Sequence, residues 1–384
     1  MSYLYVDTYE KQSSKTRGLP CGDVIAVHRD ETATTIIISD GLGSGIKANI
    51  VAHMCVSRAK ELLSRGASLK FVFNSLAETM NKAWGTTEPF AVFCLVRILS
   101  NGETHILSYE FPLPILTNKY TAVELKAKST MFGKAVIYES HSFLKPDDGL
   151  ILLSDGISQA GIGNGMGEGW GTRSISRYIA DHLANNEFRA KDIARIVHDK
   201  ARSYWGNSKG DDCSVVFAHC RPGMTVNIIS GPPKNPELDQ DFCSKYLSCD
   251  GIKIVCGGTT SKLIAKALQR QIVLEPSEGP TYSPPSYSIR GIDCVTEGAV
   301  TLNQVYNIFD ENLDDTNGNC AVYTLIEYLR LADRINFWIG DAMNEGSANI
   351  AFKQQHILDR QKILQLLIEK LEKMGKLIIV NRPD

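Results

Sequence analysis

Two apolar runs of this chain end in the same three residues, Ser-Asp-Gly, and this repetition constrains the fold more than any other feature of the sequence. Thr35–Ser39 leads into Asp40-Gly41, and Leu150–Ser154 leads into Asp155-Gly156. Short apolar runs bounded by turn residues predict buried β-strands. One Asp-Gly after a strand is a common turn signal. Two matched strand ends indicate that the acids have a shared role.

Two other acidic positions stand where strands are predicted to begin. Asp23 precedes Val24–Val27, and Asp211-Asp212 precedes Cys213–Ala218. In an antiparallel sheet the end of one strand lies beside the start of its neighbour, so these acids can meet at one edge. Clustered carboxylates repel one another and are driven to protonate unless cations neutralise them. A set of oxygen donors favours the hard ions Mg²⁺ and Mn²⁺ over zinc.

Glycine-rich segments next to these acids have other interpretations. Gly41 lets the backbone approach closely, so its carbonyl oxygen is a further candidate ligand. Gly41–Gly45, followed by Lys47 and a helix, is similar to a phosphate-binding loop, but it has neither the GxGxxG nor the GxxxxGK[ST] spacing, and a nucleotide role is disfavoured. Pro146–Gly149 precedes its strand and predicts an ordinary turn. The alternating glycines of Gly161–Gly171 predict a surface loop or a flap beside a site.

The order of elements predicts two domains, residues 1–221 and 222–384. The first has short strand-like runs interrupted by two pairs of helical stretches, which is typical of an α+β domain of antiparallel sheets covered by helices. Beyond the break at Cys220–Gly223, strands and helices alternate, which predicts a smaller α/β domain with a parallel sheet. Near its end we predict helices over Cys320–Phe337 and His356–Met374 and a strand over Lys376–Val380.

One loop of the second domain is a candidate anion site. Gly257, Gly258, Thr259 and Thr260 follow a predicted strand and open a predicted helix, where free backbone N–H groups can bind an anion. Plain helix capping by either threonine is the alternative. We therefore expect a regulatory domain that senses a small ligand or docks a partner.

Composition excludes several classes of function. The 41 Lys and Arg residues nearly balance the 43 Asp and Glu, and a net charge of −2 does not direct the chain to nucleic acid or to anionic lipid. No apolar run reaches the roughly 18 residues of a membrane span, and the N-terminus has no secretory pattern. The ten cysteines form no CxxC pair and the histidines no HExxH or zinc-finger spacing. A reduced, cytoplasmic protein without structural zinc is predicted.

Four segments in order, PCGDVIAV, IIISDGLGSGIKA, GLILLSDGI and GDDCSVVFA, resemble the SpoIIE-like branch of the PPM family, the metal-dependent serine/threonine protein phosphatases of the 2C type. The resemblance covers roughly residues 15–220. It implies an αββα sandwich, with two central antiparallel sheets flanked by helices, and a site for two Mn²⁺ or Mg²⁺ ions. By motif, its metal ligands are Asp40 (to both ions), the carbonyl of Gly41, Asp155, Asp211 and, as the early acid, Asp23, with Asp212 in the position after a ligand.

The resemblance also implies a function, a hydrolase that removes phosphate from phosphoserine or phosphothreonine through a metal-activated water, with Asp40 and Asp155 as the catalytic acids. Its relatives act on phosphorylated signalling proteins, often of the anti-anti-sigma type. Many PPM enzymes hold the phosphate with an arginine upstream of the first acid. Here the nearest basic residues, Lys15 and Arg17, do not match that position and are predicted to be solvated surface charges, so the substrate-binding residues stay unassigned.

Two alternatives remain open. The fold could be retained as a non-catalytic signalling module, although such a module would have little reason to keep clustered carboxylates. The chain could also be a metal-dependent phosphomonoesterase for small molecules, because the sequence does not reveal the depth of a specificity pocket.

Overall fold

The computed structural model describes residues 3–85, 90–185, 189–206, 210–275, 286–311, 321–342 and 357–383. Contacts between residues divide the chain into two compact units, residues 3–222 and 223–384. No helix within the described ranges is long and apolar enough to cross a membrane.

The first unit contains two antiparallel sheets. The six-stranded sheet has the order β2-β3-β4-β5-β9-β8 and the five-stranded sheet the order β1-β11-β10-β6-β7. The strands are β1 (Leu4–Ser13), β2 (Asp23–Arg29), β3 (Ala33–Gly41), β4 (Ala91–Leu99), β5 (Glu103–Tyr109), β6 (Ile115–Thr117), β7 (Ala122–Glu124), β8 (Lys128–Phe132), β9 (Ala135–Phe143), β10 (Gly149–Leu153) and β11 (Cys213–Pro222). The helices are α1 (Ile46–Ser64), α2 (Leu69–Ala83), α3 (Asp155–Ser158), α4 (Thr172–Ala184) and α5 (Ala190–Trp205).

These elements stack in four layers. Ile37 and Leu95 of the six-stranded sheet pack against α1 and α2, and Ile151 of the five-stranded sheet packs against α4 and α5. Ile36 and Ile38 face the other sheet across a shared core. Since β3 is covered on both faces, its apolar run is continuous rather than alternating. The predicted αββα sandwich is confirmed.

The second unit is built on one mixed sheet of order β14-β15-β16-β13-β12-β17-β18. Five neighbouring strands, β16, β13, β12, β17 and β18, are parallel. At one edge β15 pairs antiparallel with β16, and β14 pairs antiparallel with β15. The predicted α/β class is therefore confirmed, with an antiparallel edge added to the parallel sheet. The strands are β12 (Thr225–Ser230), β13 (Ile252–Cys256), β14 (Val273–Glu275), β15 (Ser286–Ser288), β16 (Cys294–Thr296), β17 (Arg334–Ile339) and β18 (Leu377–Asn381). The helices are α6 (Asp239–Ser248), preceded by a 3-10 turn (Pro236–Leu238), α7 (Gly258–Leu268), α8 (Ala299–Ile308), α9 (Ala321–Leu331) and α10 (Arg360–Lys373).

The helix predicted over Cys320–Phe337 is wrong in its second half. Residue 320 lies outside the described residues, α9 ends at Leu331, and β17 follows as a strand beside β12. Asp333 separates the two elements, and its Oδ2 accepts a hydrogen bond from the N–H of Met224 at 2.8 Å. A strand in the middle of a parallel sheet is apolar on both faces, so its sequence does not alternate and can be mistaken for part of a helix.

Candidate metal centre

The acids singled out by the sequence occupy neighbouring strand ends. Asp23 at the start of β2 is the cross-strand partner of Asp40 near the end of β3. In the other sheet, β10 and β11 pair up to Leu153 and Val215. Asp155, which opens α3, therefore lies beside the start of β11, where Asp211 and Asp212 precede the strand. Each sheet thus contributes one group of acids.

The two groups meet in one place. Asp40, Gly41, Asp155, Asp211 and Asp212 line a single cavity of about 750 Å³. Asp23 lies deeper, with 3% of its surface exposed, and interacts electrostatically with Asp155 and Asp212. The convergence of acids expected from the strand pattern is present, and we call these five residues the aspartate cluster: Asp23, Asp40, Asp155, Asp211 and Asp212.

Close backbone packing explains why glycine follows both strand-end acids. A Cβ atom on Gly41 would lie 2.0 Å from the carbonyl oxygen of Ala48 in α1. A Cβ atom on Gly156 would lie 2.0 Å from the carbonyl oxygen of Asp212. Any side chain at either position would force these segments apart. The serine of the second motif also has a partner, since Ser154 Oγ accepts a hydrogen bond from the N–H of Ser214 at 2.9 Å.

Burial and mutual repulsion dominate the electrostatics of the cluster. Burial raises the pKa of Asp40, and the negative charges of the other four aspartates raise it further. Burial likewise raises the pKa of Asp23. The pKa of Asp155 is also raised, first by burial and then by the charge of Asp211. The folded chain therefore holds these carboxyl groups in surroundings that disfavour their charge.

The residues present fit divalent cations. Both carboxylate oxygens of Asp23 are buried and accept no well-formed hydrogen bond from the described residues, although the hydroxyls of Ser154 and Ser214 are near enough to lower its pKa. A buried carboxylate without donors costs free energy unless a cation compensates it. Oxygen donors packed together in this way are the ligands that Mg²⁺ and Mn²⁺ prefer.

Lys15 belongs to this site, and its assignment as a solvated surface charge was wrong. Its Nζ lies 3.3 Å from Asp211 Oδ1, and its backbone N–H donates to Asp212 Oδ1 at 2.7 Å. The cause is β1, a strand that the sequence analysis missed. β1 pairs with β11 as far as Ser13 and Cys213, which carries Lys15 to the acids. Arg17, by contrast, is exposed as expected.

The glycine and threonine residues proposed as an anion site lie at the carboxyl edge of the second unit's sheet. Gly257 precedes the first turn of α7, and Gly258 and Thr259 are exposed. Thr260 is buried, and its hydroxyl accepts a hydrogen bond from the N–H of Gly231 at 2.8 Å. Thr260 therefore has a structural role in joining α7 to the end of β12, and anion binding by this loop stays a prediction.

Comparison with known proteins places these features in a family. Residues 30–221 match the family model of stage II sporulation protein E (SpoIIE). The comparison with curated protein sequences gives no match.

Solved structures with similarity include the PP2C phosphatase domain, with a fragment of the regulatory domain, of the Bacillus subtilis cell fate determinant SpoIIE (17% identity, TM-score 0.48, 58% of this chain and 65% of that one). Others are the RsbU and RsbW domains of a Mycobacterium tuberculosis protein (13%, 0.48, 64% and 69%) and the SiaA-PP2C domain of Pseudomonas aeruginosa (15%, 0.46, 55% and 85%). The chain thus spans about two thirds of the first of these structures. Because the family model covers half of the 384 residues, the chain belongs to the stage II sporulation protein E (SpoIIE) family.

Proposed function

We propose that the first unit is a metal-dependent protein phosphatase that hydrolyses phosphoserine or phosphothreonine on a signalling protein. The observation that carries this proposal is the aspartate cluster, in which acids from two sheets share one cavity and the buried Asp23 carboxylate accepts no well-formed hydrogen bond from the described residues. Membership of the SpoIIE family supports the same chemistry. A non-catalytic module would be stabilised by losing these acids, since their mutual repulsion has no purpose without cations.

In this proposal the aspartate cluster and the Gly41 carbonyl hold two Mn²⁺ or Mg²⁺ ions. When bound, such ions supply a water of lowered pKa and offset the charge of the phosphoryl oxygens. Asp40 interacts electrostatically with the other four acids and would be a ligand of both ions, as the family resemblance implies. Asp155 and Asp211 would hold the ions from the side of the five-stranded sheet. Asp23, which lies deeper than the other acids, would contribute its buried carboxylate to the same ions.

Lys15 is our candidate for the phosphate contact that the sequence left unassigned. The Lys15 side chain is about one third exposed, and its ammonium group lies 3.3 Å from Oδ1 of Asp211, a residue that lines the cavity. In our proposal the side chain turns from Asp211 towards the bound phosphate. A substrate phosphate carries about two negative charges at neutral pH. Lys15 would orient that group while the aspartates remain with the cations.

The cavity is accessible to a protein substrate. It is open to solvent and is bordered by apolar side chains such as Phe90 and Leu113 and by Glu110, Glu124 and Glu168 outside the aspartate cluster. Such an opening admits a phosphorylated residue presented by a folded partner, and a volume of about 750 Å³ also accommodates a small phosphomonoester. By family resemblance, we propose a phosphorylated signalling domain of the anti-anti-sigma type as that partner.

The decisive experiment measures Mn²⁺-dependent hydrolysis of p-nitrophenyl phosphate and then of a panel of phosphoproteins. We expect activity on both in the wild-type chain and its loss in Asp155→Asn, with Asp181→Asn, an exposed carboxylate of α4, as the matched control. Activity on small phosphates alone would favour the phosphomonoesterase alternative. Inactivity on every substrate would favour the non-catalytic module, and an unchanged rate in Asp155→Asn would remove the site assignment.

For the second unit we propose regulation through a small ligand or a docked partner, with Gly257–Thr260 as the candidate anion contact. The support is their position at the carboxyl ends of parallel strands, where ligands of α/β sheets bind. Calorimetry with nucleotides and small anions tests this, and no heat from any of them would favour partner docking.

A further inference from the structure

A second group of metal-binding side chains lies away from the aspartate cluster, on the six-stranded sheet. His105 of β5 and His141 of β9 are cross-strand partners, and Glu139 precedes His141 by two residues on the same face. We call these three residues the His-Glu-His triad. Across the sheet, His105 is paired with Arg97 of β4, and Arg97 is paired with Thr35 of β3, which lies five residues before Asp40. The triad is therefore separate from the site proposed for phosphate hydrolysis.

The spacing of the three donor atoms suits one small cation. Glu139 Oε1 lies 3.0 Å from His105 Nε2 and 3.6 Å from His141 Nε2, and all three donor atoms are within 4.8 Å of one another. Ligands bound to zinc at about 2.05 Å in a tetrahedron are about 3.3 Å apart. The two measured separations bracket this value, so small side-chain rotations would bring the donors to an ion.

The Glu139 carboxylate is the acidic member of the triad and has basic side chains beside it. Nε2 of His105 and Nε2 of His141 both lie against Glu139 Oε1, and Lys128 of β8 is the cross-strand partner of Glu139. Lys70 approaches the other carboxylate oxygen, Oε2, at 3.7 Å, so an ion at Oε1 would replace only the contacts with the two histidines. Arg97 of β4 is the cross-strand partner of His105, and its Nη2 forms an ion pair with Asp30 Oδ2 at 2.9 Å. Its charge is thus largely compensated before it can repel a cation.

Accessibility and ligand chemistry identify the ion. The His141 side chain is 64% exposed, Glu139 is 35% exposed and His105 is 28% exposed, so an ion can enter and keep a water ligand. Two imidazoles and one carboxylate form the ligand set of open zinc sites. The aspartate cluster has oxygen donors and prefers Mg²⁺ or Mn²⁺.

We propose that His105, Glu139 and His141 bind one Zn²⁺ ion on the surface of the six-stranded sheet, with water as the fourth ligand. The ion ties β5 to β9 at the end of the sheet that Lys70 of α2 borders. Without zinc, the two imidazole rings stack with centroids 4.1 Å apart and share the Glu139 carboxylate. Metal entry replaces these shared contacts with bonds to the ion.

The test is calorimetric titration of the full chain with ZnCl₂, in the presence of a reductant and of Mg²⁺ at a concentration that saturates the aspartate cluster. We expect one zinc equivalent per chain that is lost in His105→Ala and His141→Ala and weakened in Glu139→Gln. His53→Ala, which removes an exposed histidine of α1, should bind zinc as the wild type does. Zinc at 100 times its Kd should also raise the folding equilibrium constant about 100-fold in the wild type.

The double variant His105→Ala/His141→Ala decides the outcome. In the wild type the His141 side chain is exposed and the His105 side chain is partly buried, so urea unfolding without zinc is used to verify the fold of the variant. A folded double variant that keeps the full zinc equivalent would refute the proposal and would place zinc on cysteines or on the aspartate cluster. Absence of zinc binding in the wild type would show that the triad is a hydrogen-bonded cluster only. Asp155→Asn should lose phosphatase activity and keep this zinc, so a failure of either proposal is distinguishable from a failure of the other.

Discussion

The aspartate cluster should destabilise the metal-free protein, and Asp40→Asn tests this directly. Asp40 and Asp23 are directly opposite each other on β3 and β2, and both are buried enough for their pKa values to be raised. An asparagine has nearly the same shape as an aspartate and cannot carry the charge. In the absence of divalent ions, we therefore expect Asp40→Asn to be more stable than the wild type.

The size of the effect follows from the cross-strand geometry. Side chains of directly opposed residues have Cβ atoms about 5 Å apart, and two charges at that distance repel by about 3 kcal/mol at an effective dielectric constant of 20. Asp40 is half-buried, and partial protonation and solvent screening reduce the repulsion. We expect the free energy of unfolding to rise by about 1–3 kcal/mol.

The assay is urea unfolding at pH 7.5, once with a chelator and once with Mn²⁺. With Mn²⁺ the order should reverse, because the wild type gains stability from binding the ions and Asp40→Asn loses a ligand. Asp181→Asn should leave both curves unchanged. If Asp40→Asn is equally or less stable than the wild type in chelator, the carboxylates do not repel one another and the reasoning for a cation site is refuted.

Three further predictions follow from the same region. The folded-state pKa of Asp40 is raised, so above about pH 4 the metal-free folded chain binds more protons than the unfolded chain. The free energy of unfolding should therefore fall as pH rises from that point. Urea unfolding at several pH values should show a shallower fall for Asp40→Asn than for the wild type. Gly156→Ala should cost about 1–3 kcal/mol of stability in the same assay, because its Cβ meets the Asp212 carbonyl, whereas Gly167→Ala, which meets nothing within 4 Å, should not. Phosphopeptides with basic flanks should have higher kcat/KM than acidic ones at low salt, an advantage that Glu168→Gln should reduce, and equal rates would contradict it. The last prediction rests on the charge of the cavity border. Among the described residues that line the cavity there is no lysine or arginine, and the acids outside the aspartate cluster are Glu110, Glu124 and Glu168.

The parts of the fold that the sequence predicted are those with strong burial signals. β3 and β10 are apolar and buried on both faces, and the acids at their ends could be placed because neighbouring antiparallel strands exchange starts and ends. β8 carries almost no such signal, since four of its five residues are exposed. β1 has a short apolar signal, because only Leu4 and Val6 are buried and its second half is polar and largely exposed; it was not predicted, and so neither was the position of Lys15.

Contacts between distant strands were beyond the reach of sequence spacing. The His-Glu-His triad has no local motif, because His105 comes from β5 and its two partners from β9. The prediction for β17 was wrong for the opposite reason. Its apolar pattern was strong, but the pattern fits a helix as well as a buried strand. In both cases the missing information is which strands are neighbours, and only the tertiary structure supplies it.

The same alternation that packs the two sheets together also aims the acids between them. Ile36 and Ile38 point into the core shared by the sheets, and Asp40 continues this face two residues further along β3. Val216 of β11 also lies in this core. Because side chains alternate along a strand, Ser214 and then Asp212 lie on the same face as Val216. A slip of one residue in β3 would turn Asp40 away from the cavity and turn Ile36 and Ile38 out of the core between the sheets, towards α1 and α2. The site is therefore formed only when the sheets are packed in register, so cation binding and the packing of the sheets should stabilise each other.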